Sequence, residues 1–267
     1  MGGMTRLLLL LLWAGVTVGR VVDLQKRIIG GHDCTNTERG YHVFLKINGK
    51  SFCSGSLISE DWILTAAHCW EPEETITAVF GRDPNSKNEV EISDHKIFKG
   101  IFYISHDIML LKLTKPATIK HVPLPDCKHQ PKKGDKVQIA GYKSSALPGH
   151  YDDESLIDTS KPLQCANTKV VKCHWTDRCK QKILPKKFPP ILCFKDNGVD
   201  ISSGDSGGGL VFNGMIYGVN VFSGNKTCDG SAASMDVCHY LGWIKTTIGI
   251  RKKLAGMSKL WLGCALL

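Results

Sequence analysis

The chain has 267 residues, a length that suits one or two domains and that all-β folds often fill as a single unit. Its 34 lysines and arginines exceed its 25 acidic residues, so the formal net charge is +9. Its lysine pairs are scattered and lack interleaved aromatic residues, which argues against nucleic acid as a partner. The excess charge suits either an acidic matrix, such as a glycosaminoglycan, or a well-solvated surface that has no partner.

The N-terminus has the pattern of a secretory signal peptide. Arg6 precedes a largely apolar stretch over residues 7–18, and small residues near Gly19 offer a cleavage point. The apolar stretch is too short to span a bilayer comfortably, so a membrane anchor is the weaker reading, and no later segment is long and apolar enough to span one. We therefore expect residues 1–19 to be a signal peptide and the protein to be secreted, either outside the cell or into a secretory granule.

A short polar segment over residues 20–27 follows and ends in Lys26-Arg27. The next residues are Ile28-Ile29-Gly30-Gly31. The basic pair is a candidate site for proteolytic processing after Arg27, with residues 20–27 as the candidate propeptide.

The body of the chain alternates short apolar or β-branched runs with turns rich in Gly, Pro and Asn. Such spacing predicts an all-β domain, here over residues 28–250, rather than βαβ units. The predicted strand segments are 42–47, 56–58, 62–66, 108–113, 136–140, 209–212 and 215–221. One helix is predicted at about 241–254, because apolar residues recur there at roughly helical spacing. Residues 251–267 form a basic and apolar C-terminal extension.

Three motifs carry the candidate chemistry, and they occur in the order His, Asp, Ser. They are Thr-Ala-Ala-His68-Cys, His-Asp107-Ile and Gly-Asp-Ser206-Gly-Gly. A serine hydroxyl becomes a good nucleophile when an imidazole takes its proton, and a carboxylate fixes the tautomer of that imidazole and stabilises its charge. The glycines beside Ser206 allow a turn in which the N–H groups of Gly204 and Ser206 point at a developing oxyanion.

Together with the sequence that begins at Ile28 and the positions of the cysteines, these motifs make residues 28–250 resemble the secreted trypsin-like serine proteases of the chymotrypsin fold. The resemblance implies two packed six-stranded antiparallel β-barrels and a C-terminal helix. His68 and Asp107 would belong to the first barrel and Ser206 to the second. In the implied reaction Ser206 attacks the scissile carbonyl, His68 shuttles the proton and Asp107 orients His68.

The resemblance also implies activation by proteolysis. Cleavage between Arg27 and Ile28 would release the α-amino group of Ile28, which would pair with Asp205. A buried carboxylate without its partner costs on the order of 3–5 kcal/mol, so the new ammonium would lock the Gly204 region in its oxyanion-binding shape. The alternative is a dibasic processing site without such a switch. The expected partners are protein or peptide substrates, an activating protease and protease inhibitors.

Substrate specificity is assigned by the same resemblance. Asp200, six residues before Ser206, would form the floor of the S1 pocket and select substrate Arg or Lys, although a loop-capping aspartate is the alternative reading. Ser223 and Ala232 would line the pocket walls where glycines are usual, which would narrow the pocket. The predicted activity is therefore that of an endopeptidase cleaving after Arg or Lys.

Eleven cysteines in an exported chain predict disulfides, although spacing alone does not fix their connectivity. The resemblance implies the bridges Cys34–Cys165, Cys53–Cys69 and Cys127–Cys238. A fourth bridge would join Cys193 to Cys179 or Cys173, with Cys179 favoured by the family pattern. No Cys-x-x-Cys motif or paired-histidine spacing indicates a metal site, and no cofactor is expected.

Some positions depart from the family pattern without removing a group that breaks bonds. Val221 stands where a serine usually donates to the triad aspartate, Ser202 replaces a cysteine and Gly209 replaces a proline. Asn225 begins a glycosylation sequon. These departures leave two alternatives to a protease specific for Arg or Lys. One is a granule protease of the granzyme or mast-cell type with narrow or different specificity, and the other is a catalytically silent homologue that acts as a binding protein.

Overall fold

The structure, a computed structural model, describes residues 31–35, 37–81, 88–101, 105–142, 162–173, 190–195, 201, 204–222 and 231–250, with the backbone alone at 50–52. The predicted signal peptide, propeptide and C-terminal extension lie outside these residues. Within the described part of the chain, no helix combines the length and the apolar character that a membrane crossing requires.

The described residues form antiparallel strands, one short 3-10 turn at Ala67–Cys69 and one α-helix. In chain order the strands are β1 (His32–Asp33), β2 (His42–Ile47), β3 (Lys50–Leu57), β4 (Trp62–Thr65), β5 (Ile76–Phe80), β6 (Glu89–Lys99), β7 (Ser105–Leu113), β8 (Lys136–Gly141), β9 (Gln164–Val171), β10 (Ile191–Lys195), β11 (Gly209–Phe212), β12 (Met215–Phe222) and β13 (Ala232–Asp236). The helix, α1, spans Val237–Thr247.

The strands close into two barrels of six. The first barrel has the order β2-β3-β4-β7-β6-β5. In the second, β9, β10, β13, β12, β11 and β8 follow one another, and β8 pairs with β9 to close the ring. The short β1 adds to β9 outside this ring, with His32 opposite Cys165. The predicted all-β fold of two six-stranded barrels with a C-terminal helix is therefore confirmed.

The apolar core of the first barrel is continuous with buried residues on strands β11, β12 and β13 of the second barrel. Val43, Leu64 and Leu110 belong to the core of the first barrel, and that core continues into Tyr240 and Ile244 of α1. A second apolar cluster occupies the other barrel and includes residues from β8, β9, β10, β11 and β12. Because these cores fix the ends of the strands, the loops between the strands hold their side chains in defined places.

The boundaries predicted for the C-terminal helix were wrong at both ends. Helix α1 begins at Val237, because the carboxylate of Asp236 accepts a hydrogen bond from the N–H of Cys238 at 3.0 Å and caps the helix. It ends at Thr247, and Gly249 follows with a φ of 79°, a backbone conformation typical of helix C-termini. The apolar spacing located the helix but missed both capping residues.

Four disulfides join the described residues. Three are the predicted bridges Cys34–Cys165, Cys53–Cys69 and Cys127–Cys238. The fourth joins Cys193 to Cys173, so the preference for Cys179 was wrong. In the register of β9 and β10, Cys193 lies opposite Val171, which brings Cys173 alongside with a Cα–Cα distance of 5.2 Å. Cys179 itself lies outside the described residues.

His42 in β2 is a buried histidine that the fold keeps neutral. It is only 1% exposed, and its Nε2 has no hydrogen-bond partner among the residues that the structure describes. Burial, together with the nearby charge of Arg39, lowers the pKa of His42 from 6.5 to about 3. Between about pH 6.5 and pH 3, the unfolded chain is therefore protonated at His42 to a greater extent than the folded protein is.

We expect the free energy of unfolding to decrease as the pH is lowered below about 6.5. His42 alone contributes a loss of up to about 1.4 kcal/mol per pH unit. The loss ends near pH 3, where the folded protein also becomes protonated at this site. Replacing His42 with leucine removes this component, whereas replacing the exposed His121 leaves it unchanged. Urea unfolding at pH 7.5 and pH 4.5 measures the difference. Parallel pH profiles for wild type and His42→Leu would contradict the assignment.

Candidate active site

His68 and Asp107 form a doubly hydrogen-bonded pair. His68 lies in the 3-10 turn after β4, which the Cys53–Cys69 disulfide fastens to β3, and Asp107 lies near the start of β7. One carboxylate oxygen of Asp107 accepts from the backbone N–H of His68 at 3.0 Å, and the other lies 2.8 Å from Nδ1 of its ring. A ring that donates from Nδ1 keeps Nε2 as an acceptor, which is the form a general base needs.

The turn over residues 204–208, which carries Ser206, is attached to both barrels. From β3, the N–H of Ser54 donates to the carbonyl oxygen of Ser206 at 2.8 Å, and the Ser54 hydroxyl donates to that of Gly204 at 2.7 Å. From β12, the carbonyl oxygen of Asn220 accepts from the N–H of Gly207 at 2.8 Å. Because Cys69 Sγ approaches the Ser206 carbonyl oxygen to 3.8 Å, this turn lies beside the segment that carries His68.

Two glycines give this turn its shape. Gly204 has a φ of 86° and Gly207 a φ of 80°, values that residues with a Cβ rarely adopt. A Cβ on Gly207 would lie 2.2 Å from the carbonyl oxygen of Ser54, so only glycine fits there. Within the described residues, the N–H groups of Gly204 and Ser206 donate no hydrogen bond, and neither does the Ser206 hydroxyl. These groups are available for a ligand.

The side chain of Asp205 is buried against Gly141, the last residue of β8. It is 1% exposed, and its carboxylate lies so close to Gly141 that a Cβ there would be 1.8 Å from Oδ1. Any residue larger than glycine at position 141 would therefore collide with this carboxylate. Asp205 is the residue that the activation hypothesis pairs with Ile28, which lies outside the described residues.

Comparison with known proteins identifies the family. The family model for trypsin matches residues 28–244, which include both barrels. The chain belongs to the trypsin family. It is 32% identical to human "Putative trypsin-6", with 90% of this chain and 97% of that protein covered, and 31% identical to chicken trypsin I-P1, with 91% and 98% covered. Among solved structures it resembles mouse neuropsin, a serine protease, with a TM-score of 0.65, 26% identity and coverage of 83% and 100%.

The remaining site residues predicted for this trypsin-family protein fall into two groups. Ala232, at the start of β13, is 3% exposed and packs in the core of the second barrel. Val221 in β12 is 6% exposed and cannot donate a hydrogen bond from its side chain, so the donors to Asp107 within the described residues both come from His68. The other predicted residues lie outside the described residues: Arg27, Ile28, Asp200, Ser223 and Asn225.

Several residues that support the site were missed in the sequence. Ser54 joins the turn that carries Ser206 to the first barrel. Nδ1 of His106, next to Asp107, lies 2.8 Å from the hydroxyl of Tyr240 in α1, which anchors the start of β7. Burial, followed by the electrostatic effect of nearby His239, lowers the pKa of His106. The Cys-Ser-Gly-Ser run before β4 was the one available signal for Ser54, since small residues allow close backbone approach.

Two sets of potential metal ligands lie close together among the described residues. One consists of Cys53, His68 and Cys69, and the other of His32, Glu38 and Cys165. All three cysteines are bonded in disulfides, so none offers the thiolate that a metal would bind. Neither set has the composition of a zinc site.

Proposed function

We propose that this trypsin-family protein is a secreted serine endopeptidase that cleaves after Arg or Lys and is activated by cleavage between Arg27 and Ile28. The single observation that carries the proposal is the His68–Asp107 pair, with a ring–carboxylate distance of 2.8 Å, beside a glycine turn that presents Ser206. The four disulfides support export, because such bonds persist in oxidising compartments.

The reaction follows from the roles of these groups. As Ser206 Oγ attacks the scissile carbonyl carbon, its proton passes to Nε2 of His68, and the carboxylate of Asp107 stabilises the imidazolium. The negative charge that develops on the carbonyl oxygen accepts hydrogen bonds from the N–H groups of Gly204 and Ser206. Collapse of this intermediate expels the amine, which takes the proton back from Nε2.

Hydrolysis of the acyl-enzyme repeats these steps with water. Nε2 of His68 takes a proton from the water as it attacks the ester carbon, and returns it to Ser206 Oγ as the ester bond breaks. Each cycle therefore leaves the enzyme unchanged, and the net reaction is the addition of one water to one peptide bond.

In the proposed activation step, the amino group of Ile28 pairs with Asp205. Support comes from the burial of Asp205 and its contact with Gly141, since a buried carboxylate is stabilised by a charged partner. The pair would order the adjacent Gly204, whose N–H is one of the two proposed oxyanion donors.

Peptide-library profiling of the chain cleaved at Arg27 tests the proposal. We expect cuts predominantly after Arg and Lys, and a loss of at least about a hundredfold in kcat/KM for these substrates in Asp200→Asn, because the neutral amide leaves the substrate's charge unpaired. The uncleavable variant Arg27→Gln should stay inactive. Predominant cuts after Phe, Leu or Asp would refute the assigned specificity, and full activity of Arg27→Gln would refute the activation step.

A further inference from the structure

Ser54 in β3 contacts both residues whose N–H groups are the proposed oxyanion donors. Its hydroxyl donates to the carbonyl oxygen of Gly204 at 2.7 Å, and its N–H donates to the carbonyl oxygen of Ser206 at 2.8 Å. Ser54 is 0% exposed, and Gly204 is buried as well. One residue of the first barrel therefore holds the backbone of the turn over residues 204–208 at two points.

The two barrels hold different parts of this turn. From β12, the carbonyl oxygen of Asn220 accepts from the N–H of Gly207 at 2.8 Å, and its N–H donates to the carbonyl oxygen of Gly208 at 2.9 Å. Both contacts lie in the second half of the turn. Within the described residues, the Ser54 hydroxyl is the only donor to the carbonyl oxygen of Gly204. The first barrel therefore holds the half of the turn that begins with this glycine.

Ser54 is itself fixed in place. Its carbonyl oxygen accepts a hydrogen bond at 2.8 Å from the hydroxyl of Thr65, the last residue of β4, and Thr65 is fully buried. The residue before it, Cys53, forms a disulfide with Cys69, which follows His68 in the chain. The strand that holds the turn is therefore also attached to the segment that carries the proposed general base.

Another buried serine of the same strand lacks such a bond. Ser56 lies two residues further along β3, on the same side of the strand, and is 1% exposed. Its hydroxyl has no hydrogen-bond partner among the residues that the structure describes. The bond from Ser54 to Gly204 therefore arises from the place of Ser54 against the turn and is not shared by the buried serines of β3.

We propose that Ser54 is a positioning residue for the oxyanion site, which its hydroxyl maintains by holding Gly204; this inference rests on the proposed protease function. An oxyanion donor acts only when its N–H lies about 2.7–3.1 Å from the developing negative charge. Glycine adopts many backbone conformations, so Gly204, whose φ is 86°, could turn its N–H away from that position. The Ser54 hydroxyl opposes this change, because a buried carbonyl oxygen that loses its donor costs free energy.

The proposed role has a kinetic signature. Ser54 acts through the backbone of the turn, so its hydroxyl should strengthen the hydrogen bonds made to the oxyanion in the transition state. Substrate binding in the ground state does not use these bonds to the same extent. Loss of the hydroxyl should therefore lower kcat and leave KM nearly unchanged. A serine that served only the stability of the fold would change neither constant in the folded protein.

Steady-state kinetics of the chain cleaved at Arg27 test the proposal, with the best substrate from the peptide library and the peptide aldehyde of the same sequence as an inhibitor. Ser206 Oγ adds to the aldehyde carbon while its proton passes to His68, and the aldehyde oxygen then occupies the oxyanion site. Ser54→Ala should lower kcat and aldehyde affinity at least about tenfold each, and change KM less than about twofold. The matched control Ser56→Ala removes a buried hydroxyl from the same strand and should change all three less than about twofold.

Hydrogen exchange at the N–H groups of residues 204–208 separates this inference from the proposed function. Exchange should be faster in Ser54→Ala than in Ser56→Ala, because the turn opens more often without the hydroxyl. Equal exchange in the two variants, an unchanged kcat in Ser54→Ala or a loss confined to KM would overturn the inference.

Two further outcomes are decided by the same measurements. If a fluorophosphonate does not label the folded, cleaved wild type, the proposed protease function fails, and hydrogen exchange alone decides whether Ser54 holds the turn. If Ser54→Ala does not fold, Ser54→Gly also lacks the hydroxyl and is compared with Ser56→Gly in the same way.

Discussion

Ser206→Ala lowers peptidase turnover of the activated protein by about 10⁴- to 10⁶-fold in the expected result, without changing its fold. The hydroxyl is the atom that forms the acyl bond, and its removal leaves only the oxyanion donors and substrate binding to accelerate hydrolysis. The backbone carbonyl oxygen of residue 206 still accepts a hydrogen bond from the N–H of Ser54, because that bond does not involve the side chain. Turnover of a peptide substrate, with thermal unfolding as the check on folding, measures the effect.

A double variant of His68 and Ser206 tests whether the two residues act together. His68→Ala should cost about as much as Ser206→Ala, and the double variant should cost no more than either, because the two residues act in one step. A fluorophosphonate probe should label the activated wild type and leave Ser206→Ala unlabelled. No labelling of the folded, activated wild type would instead support a silent homologue that acts by binding. Losses that multiply in the double variant would indicate separate roles.

The parts of the fold that sequence predicted well are those whose signal is local. β2, β11 and β12 are short apolar runs bounded by turn residues, and each was found within one residue of its observed bounds. The strand β6 was missed because only one side of it packs on the core, so its charged residues obscure the apolar ones. The strand β9 was missed for a similar reason, since Asn and Lys alternate there with buried residues.

In the candidate site, too, the parts with a local sequence signal were predicted and the long-range contacts were not. The motifs around His68 and Ser206 are contiguous, so the sequence displays them directly. The contacts that hold these motifs in place join residues far apart in the chain, as when Ser54 donates to Gly204, 150 residues later. The choice between Cys173 and Cys179 also depended on strand register, which apolar patterning does not reveal.

Arg39 is a buried cation that joins the segment before β2 of the first barrel to β8 and β11 of the second. It is 2% exposed and donates from Nη1 to the carbonyl oxygen of Gly209 at 2.8 Å and from Nε to the side-chain oxygen of Gln138 at 3.0 Å. Nη2 donates to the backbone carbonyl oxygen of Gln138. The amide of Gln138 in turn donates to the carboxylate of Glu38 at 3.1 Å, which brings a negative charge near the guanidinium.

Arg39→Ala should lower the free energy of unfolding by about 3–5 kcal/mol, because it leaves three acceptors without a donor and opens a cavity. Arg39→Lys should recover only part of this stability, since one ammonium cannot reproduce the planar fork of the guanidinium.

The matched surface control is Lys46→Ala, which breaks the exposed pair with Glu89 and should cost less than about 1 kcal/mol. Urea unfolding at pH 7 with intact disulfides measures all three variants. A cost for Arg39→Ala no greater than that for Lys46→Ala would show that the guanidinium does not stabilise the fold.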